Sequence, residues 1–252
     1  MPPRHRADRA LIAQGLAPDQ AKALALIMSG VVYAGTRRID KASDMVAADT
    51  ALTVKTKAAT RGHDYVSRGA LKLIAALDAF KIDPLGKICA DIGASTGGFT
   101  EVLLRRGAAK IYAVDSGTNQ LDWKLRNEPR LVVMEQTSAR ALDRTLIPDA
   151  PQLIVADVSF MSLTLALLPI LTLAAENAQL VALIKPQFEA AYDQIGPGGI
   201  VTDAAIHTAT CAKIHDWLTT TMGWNILGLI DSPITGHDGN REYLIAAQRG
   251  LP

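Results

Sequence analysis

The stretch KICADIGASTGGFT (Lys87–Thr100) decides the fold of this chain. Its first half is apolar and ends in Asp91, as a buried strand does, and a helical pattern begins at Gly97. A glycine-rich turn lies between the two. Residues without a Cβ let the backbone approach a ligand closely, and amide groups at the start of a helix can donate to that ligand. The stretch therefore predicts a nucleoside-binding turn at one edge of a parallel sheet.

Strands and helices alternate from this stretch to the end of the chain. Such alternation is typical of a mostly parallel sheet with helices on both faces, a Rossmann-like α/β fold. Right-handed crossovers bring the carboxyl ends of the strands to one edge, where ligands bind. The predicted strands are 87–91, 110–115, 131–135, 152–157, 179–184, 225–230 and 242–247, and the predicted helices are 97–106, 120–126, 160–175 and 207–222.

A separate basic module precedes the sheet. Residues 1–62 hold ten Lys/Arg and five Asp/Glu, a net charge of +5, whereas the remainder carries −4. Helices are predicted at 6–15 and 18–30, followed by short extended pieces, and the polar residues 56–64 indicate a linker. A basic module beside a mildly acidic one favours docking to a polyanion, with a solvated charged surface as the alternative.

The acids around the glycine-rich turn fit S-adenosylmethionine, although this signal alone indicates only a nucleoside cofactor. Ser95 stands where a dinucleotide fingerprint has its middle glycine, so that fingerprint fails. Asp115 ends the next strand, where an acid can bind a ribose hydroxyl pair. A pyrophosphate would be repelled by Asp91, whereas S-adenosylmethionine has a ribose and a sulfonium cation but no phosphate; a plain tight turn with surface acids is the alternative. The expected cofactor-binding residues are Asp91, Gly93, Ser95, Gly97, Gly98, Phe99, Asp115 and Asp157.

Four charged residues far apart in the sequence are expected to meet at the same edge. Asp157 and Lys185 directly follow apolar strands, Lys72 lies on a helix before the first strand, and Glu242 opens the last strand. A ribose hydroxyl is a poor nucleophile at neutral pH, and a buried lysine beside a second cation can act as its base. We expect Lys185 to be that base or an electrostatic clamp, oriented by Asp157. Lys72 would supply the second charge, and Glu242 would hold Lys72. A simple salt bridge is the alternative for each residue alone.

These motifs resemble the TlyA family, which joins an S4 RNA-binding domain to an FtsJ-like ribose 2′-O-methyltransferase domain and is often named hemolysin-like. The resemblance implies a class I methyltransferase sheet, S-adenosylmethionine as cofactor, and the 2′-hydroxyl of a cytidine in ribosomal RNA as substrate. It assigns the catalytic tetrad to Lys72, Asp157, Lys185 and Glu242. Departures from the family pattern occur at Ala70 and at 116–119. The segments that carry the resemblance are YVSRGALKL (65–73), DIGASTGGFT (91–100), QLDWKLR (120–126), ADVSFMSL (156–163), IKPQFE (184–189) and SPITGHDGNREYL (232–244).

The N-terminal module resembles the S4 domain over residues 6–54, with its paired helices and the turn SGVVYAGTRR (29–38). The resemblance implies a small α+β RNA-binding domain at 1–58, a linker at 59–64 and the methyltransferase domain at 65–252; a small packing domain is the alternative. RNA contacts are expected from Arg6, Arg9, Arg37, Arg38, Lys41 and Arg68.

Three functions compete at this point: an rRNA ribose methyltransferase, a noncatalytic rRNA-binding or ribosome-assembly factor, and a membrane-acting hemolysin. The hemolysin is disfavoured because the N-terminus has no apolar signal core and the apolar run 160–175 is shorter than the roughly 20 residues of a membrane span. The noncatalytic factor is disfavoured because binding alone does not need the tetrad. Cys89 and Cys211 form no CxxC pair and the five histidines have no metal spacing. A cytoplasmic enzyme that acts on ribosomal subunits without a metal is therefore expected.

Overall fold

A computed structural model gives the fold of the protein and describes residues 4–17, 19–28, 32–35, 37–47, 50–54, 64–236 and 239–250. The chain divides into two compact units, Met1–Asp64 and Tyr65–Pro252. The linker predicted at 59–64 lies outside the described residues except for Asp64. Pro18 and Gly30, the predicted ends of the second helix, also lie outside them.

The first unit packs two helices beside short antiparallel strands. Its two predicted helices and the short extended pieces after them are confirmed over the described residues. A pairing between β1 and β4 was not predicted, because the polar run Arg4–Arg6 shows no alternation of apolar residues. The unit has its own core, in which Leu11, Ile27 and Ile39 are fully buried. Its elements are β1 (Arg4–Arg6), α1 (Ala7–Ala13), α2 (Gln20–Met28), β2 (Val32–Ala34), β3 (Arg37–Arg38), β4 (Met45–Ala47) and β5 (Leu52–Val54).

The second unit is an α/β sheet of seven strands, which confirms the predicted fold class. The strand order is β11-β12-β10-β9-β6-β7-β8. The five strands from β10 to β8 are parallel. At the other end β12 is antiparallel to both of its neighbours, β10 and β11, so β12 is the reversed strand of this sheet and β11 runs in the same direction as β10. Its strands are β6 (Ile88–Ile92), β7 (Lys110–Val114), β8 (Leu131–Met134), β9 (Leu153–Ala156), β10 (Gln179–Ile184), β11 (Trp224–Asp231) and β12 (Tyr243–Arg249).

Helices cover both faces of this sheet. Alternate residues of one strand point to opposite faces, so Ile154 and Ala156 join one buried cluster while Leu153 and Val155 join the other. Helices α6 and α8 pack on the first face, and α3, α4 and α5 pack on the second. The helices of this unit are α3 (Ala70–Ala79), α4 (Gly98–Arg105), α5 (Trp123–Arg126), α6 (Leu163–Leu173), α7 (Pro186–Glu189) and α8 (Ala204–Asp216).

The apolar helix begins later than the sequence indicates. It was predicted from 160, but α6 starts at Leu163 because the Ser162 hydroxyl accepts from the Thr164 amide and caps the helix there. Residues 157–162 form a loop at the ligand edge instead. Among the described residues, no helix is long and apolar enough to cross a membrane.

Two other helices differ in length from their predictions. The helix predicted at 120–126 keeps only its last four residues, since Asp122 caps the Lys124 amide and starts α5 there. The helix predicted at 207–222 begins three residues earlier and changes into a π-helical turn at Trp217–Thr221.

The reversed direction of β12 places its first residues at the ligand edge. In the antiparallel pair, Ile184 at the end of β10 faces Tyr243 at the start of β12. The residues just outside this pair, Lys185 and Glu242, therefore lie side by side at the edge where the parallel strands end.

Candidate active site

The structure brings the four predicted catalytic residues together in two ion pairs. Lys72 Nζ lies 2.5 Å from Glu242 Oε2, and Lys185 Nζ lies 2.6 Å from Asp157 Oδ1. Lys72 Nζ also lies 4.0 Å from Asp157 Oδ2, which links the two pairs. The Lys185–Asp157 contact lacks hydrogen-bond alignment despite its short distance, so it is an electrostatic contact. The four residues form one continuous charged network.

Each member of the network is held by a different element. Lys72 lies in the first turn of α3, and Asp157 follows β9. Lys185 lies between β10 and α7, and Glu242 precedes β12. Lys72, Lys185 and Glu242 are all buried, and with the partly exposed Asp157 the network holds two positive and two negative charges. Buried ion pairs of this kind are held by mutual neutralisation, and removing one partner costs about 3–5 kcal/mol because the other charge stays behind.

Ser159 is a site residue that the sequence reasoning missed. Lys185 Nζ donates to Ser159 Oγ at 2.8 Å, which fixes the direction of the ammonium group together with Asp157. A serine two residues after a strand end carries no distinctive signal, although its place in the segment ADVSFMSL could have pointed to it.

Two cavities meet at this network. One, of about 340 Å³, is lined by the glycine-rich turn, by Asp115 and by residues 157–161. The other, of about 680 Å³, is lined by all four charged residues and by Arg68. We call them the cofactor cavity and the substrate cavity. They share four lining residues, Ser95, Asp157, Ser159 and Phe160.

The glycines of the turn are required by packing inside the protein. Gly93 has φ +83°, and a Cβ there would lie 2.7 Å from the carbonyl oxygen of Asp157. Gly97 has φ +94°, and its Cβ would lie 2.4 Å from a methyl carbon of Leu125. A Cβ at Gly98 would lie 2.9 Å from Ser67 Cβ. Gly93 also lines both the cofactor cavity and a smaller cavity beside it. It therefore permits the tight turn and also forms part of the cavity wall.

Asp91 is a fully buried carboxylate with one free oxygen. Its Oδ2 accepts from Thr100 Oγ1 at 2.6 Å, whereas Oδ1 has no hydrogen-bond partner among the described residues. Burial raises the pKa of Asp91 to about 7, with the nearby carboxylates of Asp157 and Asp115 adding to the shift and the Thr100 hydrogen bond opposing it. A cation beside Oδ1 would remove this penalty.

The other predicted cofactor residues are placed differently. Asp115 accepts from the amides of Ser95 and Gly117, each at 2.7 Å, and each of its oxygens keeps a second lone pair for a hydroxyl donor. Phe99 is 4% exposed and packs mainly in the core beneath α4, with only a small part lining the smaller cavity.

Two of the predicted RNA-binding arginines already have acidic partners. Arg6 makes two hydrogen bonds to Asp8, at 2.8 and 3.1 Å, and Arg38 contacts Asp40 at 2.7 Å. The Arg38 pair is solvent-exposed on both sides, where such pairs contribute little and can exchange for a phosphate. The remaining predicted RNA-binding side chains are exposed: Arg9, Arg37, Lys41 and Arg68.

The cysteines are buried and lie outside this site. Burial raises the pKa of Cys89 to about 12 and that of Cys211 to about 11, so neither is a reactive thiolate near neutral pH. Within the described ranges, no group of three or more His, Cys, Asp and Glu side chains is arranged to hold a metal ion.

A mostly parallel seven-stranded sheet with a glycine turn after β6, an acid at the end of β7 and a charged network at the same edge defines a Rossmann-like methyltransferase. The FtsJ-like methyltransferase family matches residues 65–249, and the chain belongs to this family. The resemblance drawn from the sequence motifs is confirmed.

Relatives with established names extend over nearly the whole chain. The 16S/23S rRNA (cytidine-2′-O)-methyltransferase TlyA of Mycobacterium tuberculosis is 43% identical over 96% of this chain and 89% of its own length. Hemolysin A of Brachyspira hyodysenteriae is 38% identical over 95% of this chain and 98% of its own length. A solved structure from Streptococcus thermophilus, described as a hemolysin, is 39% identical, with a TM-score of 0.71, and covers 99% of this chain and 90% of that one.

Proposed function

We propose that this methyltransferase transfers a methyl group from S-adenosylmethionine to the 2′-hydroxyl of a cytidine in ribosomal RNA, with ribosomal subunits in the cytoplasm as its partners. One observation carries the proposal: the network of Lys72, Asp157, Lys185 and Glu242 stands where the cofactor cavity opens into the substrate cavity. The TlyA relative, 43% identical over 96% of the chain, supports the choice of substrate.

The cofactor cavity fits S-adenosylmethionine by its donor set. When bound, this cofactor supplies an electrophilic methyl group on a sulfonium. Asp115 lines the cavity, and its spare lone pairs would accept the ribose hydroxyls. Asp91 is fully buried and is not among the described lining residues, so it would attract the positively charged methionine part through its charge and not by direct contact. Asp157 lines both cavities and would face the cofactor on one side and the acceptor hydroxyl on the other.

Lys185 is the group that would contact the ribose hydroxyl. Its Nζ is fixed by Asp157 and Ser159 and lines the substrate cavity. Lys72, neutralised by Glu242 and 4.0 Å from Asp157, would keep that carboxylate in place. Holding the acceptor oxygen in line with the methyl group would contribute more than proton removal, because orientation of reacting groups can supply several kcal/mol of the barrier.

The first unit would dock the enzyme on ribosomal RNA. We propose that it is an S4-like domain at 1–58 joined by a linker at 59–64 to the methyltransferase domain at 65–252. Its exposed basic residues Arg9, Arg37 and Lys41 would contact phosphates. Phosphate contacts bind RNA without reading its sequence, so the choice of nucleotide would rest on the substrate cavity and on RNA shape.

The substrate cavity has an aromatic wall suited to an unstacked base. Phe160 is 89% exposed although it lines this cavity, and its ring centroid lies 5.2 Å from that of Phe188. Exposed rings at a nucleic-acid site stack on bases released from their neighbours. Arg68, exposed on the same cavity, would hold a phosphate beside the target ribose.

The test is methyl transfer from labelled S-adenosylmethionine to unmethylated ribosomal subunits. Label in alkali-resistant 2′-O-methylated nucleotides supports the proposal, provided that Lys185→Ala abolishes it. Lys110→Ala is the matched control, because Lys110 also pairs with an acid, at 2.7 Å from Asp149, but starts β7 at the opposite edge of the sheet. Absence of label in both subunits and in free RNA, despite cofactor binding, would favour the noncatalytic binding factor.

A further inference from the structure

Glu189 is a buried acid that the proposed reaction does not use. Its side chain is 1% exposed. It is absent from the described residues that line the cofactor and substrate cavities. A carboxylate is costly to bury unless it is hydrogen-bonded or paired, so its contacts indicate its role.

Both oxygens of this carboxylate bind the start of α6. The Leu163 amide donates to Oε1 at 2.6 Å, and the Ser162 hydroxyl donates to Oε2 at 2.7 Å. Ser162 is the N-cap of α6 and Leu163 is its first residue, so Glu189 satisfies a free amide at the positive end of the helix dipole. Lys213 of α8 completes the set, with Nζ 3.1 Å from Oε2.

These contacts join the far ends of the two loops that carry the active site. β9 and β10 are parallel neighbours in the sheet. One loop runs from β9 through Asp157 to Ser162. The other runs from β10 through Lys185 and includes the short helix α7, which ends at Glu189. The sheet fixes the near ends of both loops, and the Glu189–Ser162 contact fixes their far ends. The two loops therefore form a closed frame around Lys185 and Asp157.

The frame also contains a strained residue. Phe160 has φ +64°, a left-handed conformation that costs a residue with a Cβ about 1–2 kcal/mol. Such a conformation persists only where the surrounding structure holds it. Two contacts of Lys185 cross the frame, at 2.6 Å to Asp157 and 2.8 Å to Ser159. We propose that Glu189 is a positioning residue that holds the Asp157–Ser159 loop against Lys185; this inference rests on the proposed function.

The variant Glu189→Gln tests this role. A glutamine keeps one acceptor for the Leu163 amide, but it loses the second acceptor for Ser162 and the attraction to Lys213. With cofactor and rRNA saturating, the single-turnover rate of methyl transfer falls about 10- to 100-fold, because a displacement of about 1 Å can cost that much. The Kd of the cofactor rises by a smaller factor than the rate falls, because the loop forms only one wall of the cofactor cavity and Asp115 and the glycine-rich turn are unchanged.

Two further variants separate positioning from a general loss of structure. Glu128→Gln makes the same chemical change in a surface pair with Arg130, at 2.8 Å, and keeps the wild-type rate. Ser162→Ala removes one of the frame contacts and lowers the rate less than Glu189→Gln does. The double variant is no slower than Glu189→Gln alone, because both changes break the same contact. The inference would be overturned if the rate losses of the two single variants multiplied in the double variant. It would also be overturned if the rate of Glu189→Gln fell only in proportion to the fraction of molecules that bind the cofactor.

Amide hydrogen exchange measures the mobility of the two loops without an activity assay. In Glu189→Gln, exchange becomes faster in peptides covering 157–163 and 185–189 and stays unchanged in those covering 88–105. If the wild type methylates no rRNA, the proposed function fails, and this comparison still decides whether Glu189 holds the two loops. Unchanged exchange in both peptides, or a wild-type transfer rate in Glu189→Gln, would show that it does not position Lys185.

Discussion

The buried carboxylate of Asp91 makes the stability of the cofactor-free protein depend on pH. Burial raises its pKa to about 7 in the folded protein, against an ordinary value of 3.8. The unfolded chain therefore releases this proton at a lower pH than the folded protein does. The contribution to stability is fully present below pH 3.8 and is lost as the pH rises through about 7.

The size of the effect follows from the pKa difference. A pKa difference of about three corresponds to a total loss of about 4 kcal/mol in the free energy of unfolding at high pH. About 2 kcal/mol of this loss falls between pH 5.5 and 8. Asp91→Asn removes the titrating group, and its amide oxygen can still accept from Thr100. The free energy of unfolding of the variant, relative to that of the wild type, should therefore rise by about 2 kcal/mol between pH 5.5 and 8.

Urea unfolding of the full chain at both pH values, without cofactor, measures the difference. The three tryptophans, Trp123, Trp217 and Trp224, all belong to the second unit, so their fluorescence reports its unfolding. Parallel pH profiles for the wild type and Asp91→Asn would refute the reasoning. With S-adenosylmethionine added, the wild type should gain stability and the variant should gain less, because the cation of the cofactor would lose the attraction of a nearby buried anion.

Three other substitutions give separate tests. Glu242→Gln removes the nearest counter-charge of the buried Lys72 and leaves only Asp157, at 4.0 Å; it should lower the free energy of unfolding by about 3 kcal/mol, measured with urea. Phe160→Ala should raise the Kd for rRNA about 5- to 100-fold with little change in Tm, whereas Phe160→Tyr keeps the ring and the affinity; equal affinities for both variants in filter binding would contradict stacking. Gly97→Ala adds a Cβ against terminal methyl groups of Leu121 and Leu125 at φ +94°, and the left-handed backbone should cost about 1–2 kcal/mol of stability; thermal unfolding identical to wild type would contradict the backbone argument.

The sheet and its charged edge could be predicted from the sequence because both follow from local patterns. Apolar runs that end in Asp157 and Lys185 mark strand ends, and parallel strands bring their ends together. The reversed direction of β12 could not be predicted in this way, since periodicity is the same for a strand in either direction. The position of Glu242 followed from its motif, and the antiparallel pairing of β12 gives the physical reason for it.

Contacts that depend on the packing of distant segments could not be predicted. Ser159 and Glu189 look like ordinary polar residues beside a strand end and a short helix, and only the folded chain shows what they bind. Phe160 belongs to an apolar run that was assigned to a helix, and its exposure follows from the cap at Ser162, which delays the start of α6. In each case the deciding partner is a tertiary contact or a single hydrogen bond.

The charges that line the two cavities indicate which ligand each cavity would bind. The charged residues that line the cofactor cavity are Asp115 and Asp157, and both are acidic. Arg68, Lys72 and Lys185 add three basic groups to the two acids of the substrate cavity. An acidic cavity favours a cationic cofactor, and a basic one favours an anionic RNA strand. Asp157 lines both cavities and is paired with Lys185 on the substrate side. Replacing Asp157 should therefore weaken both ligands, whereas replacing Asp115 should weaken the cofactor alone, and separate Kd measurements for cofactor and RNA distinguish the two outcomes.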